Sequence, residues 1–522
     1  MGVFDKLVNK TPTDETNPFR PTTKDFFIGV PEAEAEATTA SIKLDSFFVD
    51  YLDVLQQLNN EKFIVLGRKG TGKSAIGEHI LSISKNDANL FCDFIKKEDI
   101  DIEKIVQIGK EEGVHIERGL LYKWIILTKF IALFADNQSL ACINGMRYLC
   151  DFIKKSRGFI NIKNYEVKEI IHQYGINVNI EHFKRYLTAS GNSIKQYKYE
   201  KAEFYKLIPD LERVVTNILK DDSSNQYVLM FDDLDIGLNL NNQDSVNTLT
   251  ELIRTVKYYN NDVFARNGIE SKIIIFLRTD IQKHLIYSAD MPKIFSSYAT
   301  ELRWYEDIFR NNETKLLLRQ FINKRIEINF QKKRYIINDP NDPWTSFIDE
   351  RSFKTGINEY NQREKTGFKH IIDHTFFRPR DLILFFKDIG NLDLDIPISS
   401  SDINNKLMDR YAREMVTDIK GELSVNYDAN EIEGIFDALR NSFGAYRKPF
   451  KHSTLVSELT NNSISDTTKV ISDLFDYSLI GNYDENNNVT FKYRETRGQI
   501  VEINPSDSFI LHYVLQTYFK KN

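Results

Sequence analysis

The residues with the clearest chemistry lie between Gly67 and Ser74, which read G-R-K-G-T-G-K-S. They fill the pattern G-x-x-x-x-G-K-[ST], a loop whose backbone N–H groups wrap a phosphate. Gly67, Gly70 and Gly72 can take backbone angles closed to other residues, so the amides around Arg68, Lys69 and Thr71 can turn inward. Lys73 is placed to reach the β- and γ-phosphates, and the Ser74 hydroxyl to ligate Mg²⁺. Ala75 opens a predicted helix to Ile83, whose N-terminus adds a partial positive charge. The expected ligand is therefore ATP with Mg²⁺, held by residues 67 to 75.

A second group lies far downstream. Tyr227 to Phe231 (YVLMF) is an apolar run that ends in Asp232, Asp233, Leu234 and Asp235. Two acids after a buried strand mean little alone, because acids commonly end strands. Downstream of a phosphate loop they acquire roles. Asp232 is expected to hold the Mg²⁺ shell, and Asp233 to orient or deprotonate the attacking water. Asp235 fits a structural cap. Next, KIIIFL (Lys272 to Leu277) ends in Arg278, Thr279 and Asp280. Arg278 and Thr279 are candidates to sense the γ-phosphate or the water. Thr279 or Asp280 also fits the cap of a following helix.

The fourth group is Arg378-Pro379-Arg380-Asp381. Pro379 suits a helix start and Asp381 its first turn. Arg380 then sits on an opening turn, where the helix dipole disfavours a cation. An arginine folding over onto the γ-phosphate supplies a reason for it. Arg378, before the proline, is expected to point away and to matter less. His370 and His374 have zinc-like spacing but no third ligand nearby, so no metal is expected there.

These residues need a scaffold. Phe63 to Leu66, Asn89 to Ile95, Tyr227 to Phe231, Lys272 to Leu277 and Ala299 to Trp304 read as strands, mostly as continuous apolar runs of a buried parallel sheet. Helices are expected over Ser46 to Leu58, residues 244 to 260 and Glu313 to Arg325. A long helical insertion fills residues 100 to 220, with apolar periodicity in Leu120 to Phe134, Leu140 to Ile153 and Phe204 to Leu219. Its lysine-rich stretch, Lys184 to Lys201, reads as a solvated face or as a nucleic-acid contact. Beyond about residue 330 the strands give way to helices. From Asn430 the order is three helices (Ile432 to Arg440, Thr454 to Leu459, Thr467 to Leu479), a hairpin returning through Val489 to Arg494, and a closing helix from Phe509 to Phe519. That order makes a winged helix. Its third helix is acidic, with Asp466, Asp473 and Asp476 against Lys469, which argues against major-groove reading. Basic residues lie instead at Arg447, Lys448, Lys451, Lys492, Arg494 and Arg497. The expected class is α/β: a parallel-sheet P-loop ATPase core with a large helical insertion, a helical lid and a C-terminal winged helix. The boundaries are an N-terminal arm (1–45), core (46–328), lid (329–428) and winged helix (429–522). In the arm, Phe26 and Phe27 either touch the base or pack on the core.

The 522 residues carry a net charge of −6, so no global basic field draws nucleic acid. Cys92, Cys142 and Cys150 have neither metal nor disulfide spacing and read as buried reduced thiols of a cytoplasmic protein. The N-terminal stretch lacks the apolar core of a secretory leader. No uninterrupted apolar run approaches the roughly 20 residues that span a bilayer, so no membrane is expected.

The ordered set resembles the AAA+-like P-loop ATPases of the origin-recognition and STAND lineages. It is similar, more closely, to a bacterial P-loop ATPase family found in antiphage and mobile-element loci. The likeness lies in FFIGVPEAEAE, GRKGTGKS, FDDLD, FLRTDI, ELRW and FFRPRDLI. It implies an ATPase core with AAA+-type strand order, a lid whose Arg380 lies over the nucleotide, and a regulatory C-terminal module. AAA+ motors usually carry Asp-Glu where this chain has Asp232-Asp233, so a slow switch is expected rather than a fast motor. The expected partner is a protein effector, with self-association and DNA binding as further expectations. A DNA-binding initiator or loader is the alternative.

Overall fold

The structure, a computed structural model, describes residues 20–96, 117–140, 208–234, 243–288, 290–306, 312–353, 366–424, 426–444, 449–495, 500–506 and 508–521. The lysine-rich stretch, the Leu140 to Ile153 periodicity beyond Leu140 itself, Asp235, Cys142, Cys150, Arg447, Lys448 and Arg497 lie outside them.

Five apolar runs pair into one parallel sheet: β1 (Ile64–Gly67), β2 (Leu90–Lys96), β3 (Gln226–Asp232), β4 (Lys272–Arg278) and β5 (Ala299–Glu301). Their order is β2-β3-β4-β1-β5. Thus β4 stands between the loop strand and the acidic strand, as the resemblance implied. Strands buried on both faces need apolar residues at nearly every position, which explains the absence of alternation in these runs. One face carries helices Arg118–Asp136, Ile208–Asp221 and Gln243–Lys257 over Leu229, Phe231, Ile273 and Ile275. The other carries the loop helix, Lys73–Asn86, over Val65, Met230, Ile274 and Phe276. The register aligns Gly67 with Arg278, and Lys96 with Asp232. The loop, the paired aspartates and Arg278 therefore leave the sheet at its carboxyl edge, where open α/β sheets bind ligands.

The lid and the winged helix share a single apolar core. It includes helices Leu317–Lys333, Gly367–Ile372, Pro379–Phe385 and Asp409–Leu423, and the winged-helix helices Ala429–Phe443, His452–Asn461 and Thr467–Asp476. The proposed boundary at residue 328 falls inside Leu317–Lys333. The arm joins this core too. Phe26 stacks on Phe347 and meets Phe330 edge-on, so it packs rather than faces a ligand. Asn329 clamps Phe27, accepting its N–H at 2.7 Å and donating to its carbonyl at 2.8 Å.

Several elements differ from expectation. The helix over Ser46 to Leu58 is two pieces, Leu44–Phe47 and Val54–Asn59. Asp50 causes the break: its carboxylate accepts the N–H groups of Val54 and Leu55 at 2.9 and 2.7 Å and opens the second piece. The strand over Ala299 to Trp304 has three residues. Glu313 to Arg325 begins as a short 3₁₀ turn, Glu313–Lys315, and its helix runs on to Lys333. Residues 244 to 260 continue as a π-helix, Tyr258–Phe264. In the winged helix, β6 (Phe450–Lys451), β7 (Ile480–Tyr483), β8 (Val489–Thr490) and β9 (Ser508–Leu511) form a sheet in the order β6-β9-β7-β8. The return of the hairpin is only Val489–Thr490, followed by a 3₁₀ turn. Phe509 lies in β9, not in a helix, because Phe509 and Leu511 alternate into the core. The closing helix is Tyr513–Lys521. Cys92 is half-buried, and burial pushes its thiol up to about 12. No helix among the described residues is long and apolar enough to cross a membrane.

Candidate nucleotide site

A cavity of about 790 Å³ opens at the carboxyl edge of the sheet. Lys69, Gly70, Thr71, Gly72, Lys73, Ser74 and Ala75 line it from the loop. Asp232 and Asp233 line it from β3, Arg278 from β4 and Arg380 from the lid. The structure thus gathers on one cavity four groups of residues separated by up to 311 positions in the chain (380 − 69).

The loop has the required backbone. Gly70 and Gly72 have φ of +81° and +100°, and Gly72 precedes the loop helix. Lys73 Nζ donates to the carbonyls of Gly67 and Arg68 at 2.9 and 3.1 Å, lying across the mouth of the loop. Trp304, from the ELRW segment, braces the loop by donating its indole N–H to the Thr71 carbonyl at 2.9 Å.

Three predicted residues stand apart from the cavity. Gly67 lies beneath the loop. Arg68 turns to the opposite side, where it donates to the Tyr477 carbonyl at 3.3 Å and lies over Phe376. There a second cleft, of about 370 Å³, separates the core from the lid and winged helix. Thr279 lines that cleft, not the first cavity.

Asp232 is buried at the end of β3, and one of its oxygens accepts the Asp233 N–H at 2.9 Å. Asp233 has φ of +54°, a strained conformation for a residue with a side chain. Three charged neighbours escaped the sequence reading. Lys96 ends β2 beside Asp232 and pairs with Glu34 at 2.5 Å. Burial opposes its charge, but Glu34, then Asp233 and Glu78, hold its pKa above the usual value. Glu78 lies one helical turn after Ser74, and burial, then Glu34, pushes its carboxyl up. The i, i+4 spacing of Ser74 and Glu78 was the available signal.

Arg278 is buried and held in a fork by Asp280, at 3.0 and 2.5 Å. Burial opposes ionisation of Asp280, but Arg278 outweighs it, so the carboxyl is held low. The cap expected of Thr279 or Asp280 is not made: Arg278 is the cap residue of helix Thr279–Leu285, without a side-chain bond.

The two lid arginines lie in different surroundings. Arg378 is buried, donating to Asp381 at 2.9 Å, to Glu422 at 2.8 Å and to the Lys69 carbonyl at 3.0 Å. It fastens the lid to the loop. Arg380 opens helix Pro379–Phe385, as expected, with its N–H 3.3 Å from the Gly70 carbonyl. Its side chain lies so close over Gly70 that a Cβ there would meet Arg380 Cβ at 3.0 Å.

The arm reaches the cavity through Val30, Pro31 and the helix Ala33–Thr38 instead of Phe26 and Phe27. Gly29 leaves room for a buried ion pair between Arg325 and Glu36; a Cβ would fall 2.3 Å from the guanidinium. His370 and His374 hold Asn404 and the His370 carbonyl. Among the described residues no cluster of three metal ligands occurs.

Two acids of the third winged-helix helix have partners in other elements. Asp476 pairs with Lys283 at 2.7 Å, and Asp473 accepts from Tyr427. On the wing, Lys492 is held by Glu495 at 2.8 Å, and Arg494 donates to the Val489 carbonyl at 3.0 Å.

No family model matches the chain, and no curated protein matches it. Eleven chains of solved structures do. One is the Aeropyrum pernix ORC2 protein, in ADPNP-ADP complexes, similar over 90% of each chain at 9% identity with a TM-score of 0.28.

Proposed function

We propose that the chain is an ATP-binding and ATP-hydrolysing switch whose lid reads the third phosphate. The observation that carries this is the seat of Arg380 on Gly70. A cation from the lid lies over the loop residue whose amide would face a phosphate. The residues fit the group. Gly70 and Gly72 have the left-handed backbone such a loop needs, and the cavity has the volume of a nucleotide pocket. Ser74 and Asp232 supply oxygens for Mg²⁺, which usually takes one or two protein ligands and keeps its waters. When bound, Mg²⁺ would neutralise charge on the phosphates.

In this scheme Lys73 leaves the carbonyls of Gly67 and Arg68 for phosphate oxygens. Asp233 orients and deprotonates the attacking water. Arg278, fixed by Asp280, faces the same water or the γ-phosphate. Arg380 follows the γ-phosphate and moves the lid with it. Because lid and winged helix share a core, nucleotide state passes to the C-terminal module. The output is a protein effector, since Asp476 and Asp473 on the third helix of that module bond Lys283 and Tyr427, and two wing cations have partners within the chain. A role in phage defence is the setting the resemblance suggests. Arg380→Ala tests the switch: it should bind ADP nearly as the native chain does, bind ATP more weakly and hydrolyse it slowly. Unchanged preference between ATP and ADP would refute it.

A further inference from the structure

Two cations share one carboxylate where the lid meets the loop. Asp418 stands on helix Asp409–Leu423, which packs against Pro379–Phe385. Its Oδ1 accepts from Lys69 Nζ at 3.0 Å and lies 3.2 Å from Arg380 Nη2. The Asp418 side chain is 12% exposed. Its Oδ2 is buried without a hydrogen-bond partner among the described residues, and so is Arg380 Nε.

The neighbouring ion pairs are built differently. Arg319 grips Asp342 with two bonds, at 2.9 and 2.8 Å. Arg378 is matched by two carboxylates, those of Asp381 and Glu422. At Asp418 one negative charge serves two positive ones, which leaves a surplus positive charge at the contact. Lys69 and Arg380 line the nucleotide cavity, and Asp418 stands behind them. Burial opposes ionisation of Asp418, yet Arg380, then Lys69, hold its carboxyl below the usual range.

We propose that Asp418 is a positioning residue for the third phosphate, holding Lys69 of the loop and Arg380 of the lid side by side at the cavity wall. This rests on the triphosphate switch proposed above. Without the carboxylate the two cations repel each other and separate. With it, their remaining donors and surplus charge stay together, ready for an anion that can bind both. A γ-phosphate supplies that anion, whereas ADP ends one phosphate short. Asp418 thereby sets the discrimination between ATP and ADP without touching nucleotide.

The test is calorimetric titration with Mg-ADP and with a non-hydrolysable Mg-ATP analogue. The proteins are the native chain, Asp418→Asn, Arg380→Ala and the double variant. Asn keeps the shape of Asp418 and removes its charge. The expected result is ADP affinity within about twofold of native in Asp418→Asn, with the triphosphate weakened about tenfold, the scale of one charge-assisted contact. The double variant should be no worse than Arg380→Ala, because both changes disable one unit. A purely structural role would weaken both nucleotides and add to Arg380→Ala; either result overturns the proposal. Should Asp418→Asn fail to fold, Lys69→Gln must show the same triphosphate-only loss, and unchanged discrimination there also overturns it. Equal native affinity for the two nucleotides would sink the switch and this proposal together. A native preference that Asp418→Asn retains would sink only the role of Asp418.

Discussion

Lys73 and Asp233 are the residues on which the proposed chemistry turns. Lys73→Ala removes the one loop cation that bonds the loop's own carbonyls. It should weaken ATP binding by roughly a hundredfold or more, the scale of a charge-assisted phosphate contact. Native affinity in calorimetry would remove the loop from the account. Asp233→Asn should keep ATP binding and slow turnover by about 10²- to 10⁴-fold, the usual weight of a general base. Native turnover would mean that the base lies elsewhere, with Glu78 as the next carboxylate on the cavity. Arg378→Ala acts through folding. It leaves Asp381 and Glu422 buried without their partner and should cost about 3–5 kcal/mol, as breaking a buried ion pair does. A melting temperature within a degree or two of native would contradict that. The loop and the paired aspartates were legible because motif and spacing name them. The burial of Arg378 was not, because its partners Glu422 and the Lys69 carbonyl lie 44 and 309 residues away.

At the scale of elements, the sheet was readable because strands buried on both faces show as unbroken apolar runs. Boundaries set by a single side-chain bond were not, as Asp50 shows by splitting one expected helix in two. The docking of the arm was equally hidden. It depends on Arg325 and Asn329, about 300 residues away, meeting Glu36, Ile28 and Phe27. Arg325→Ala should therefore free the arm, leaving Glu36 buried without its cation. Limited proteolysis should then cut between residues 27 and 40, where the native chain resists; equal resistance would contradict this docking. Gly70→Ala places a Cβ against Arg380 at a φ of +81°. It should cost about 1–3 kcal/mol in backbone strain and prevent the lid from seating. The two effects can be read separately, as melting temperature and as loss of discrimination between ATP and ADP.

The whole molecule is arranged so that the loop touches both C-terminal modules. Lys69 and Gly70 meet the lid through Asp418, Arg378 and Arg380, while Arg68 meets the end of the third winged-helix helix at Tyr477. The sequence implied a lid over the nucleotide. It did not imply a winged helix turned inward, because the acids of its third helix read as a poor DNA face before they read as partners for Lys283 and Tyr427. The full chain should accordingly bind duplex DNA no tighter than about micromolar at physiological salt, the range of non-specific binding. The central claim is that a third phosphate moves the lid and, with it, the winged helix. Amide hydrogen exchange on the full chain, with Mg-ADP and with a non-hydrolysable Mg-ATP analogue, tests this most directly. Only the triphosphate should change protection in residues 378–385, 415–423 and 473–480. Identical exchange in those segments with both nucleotides would contradict it.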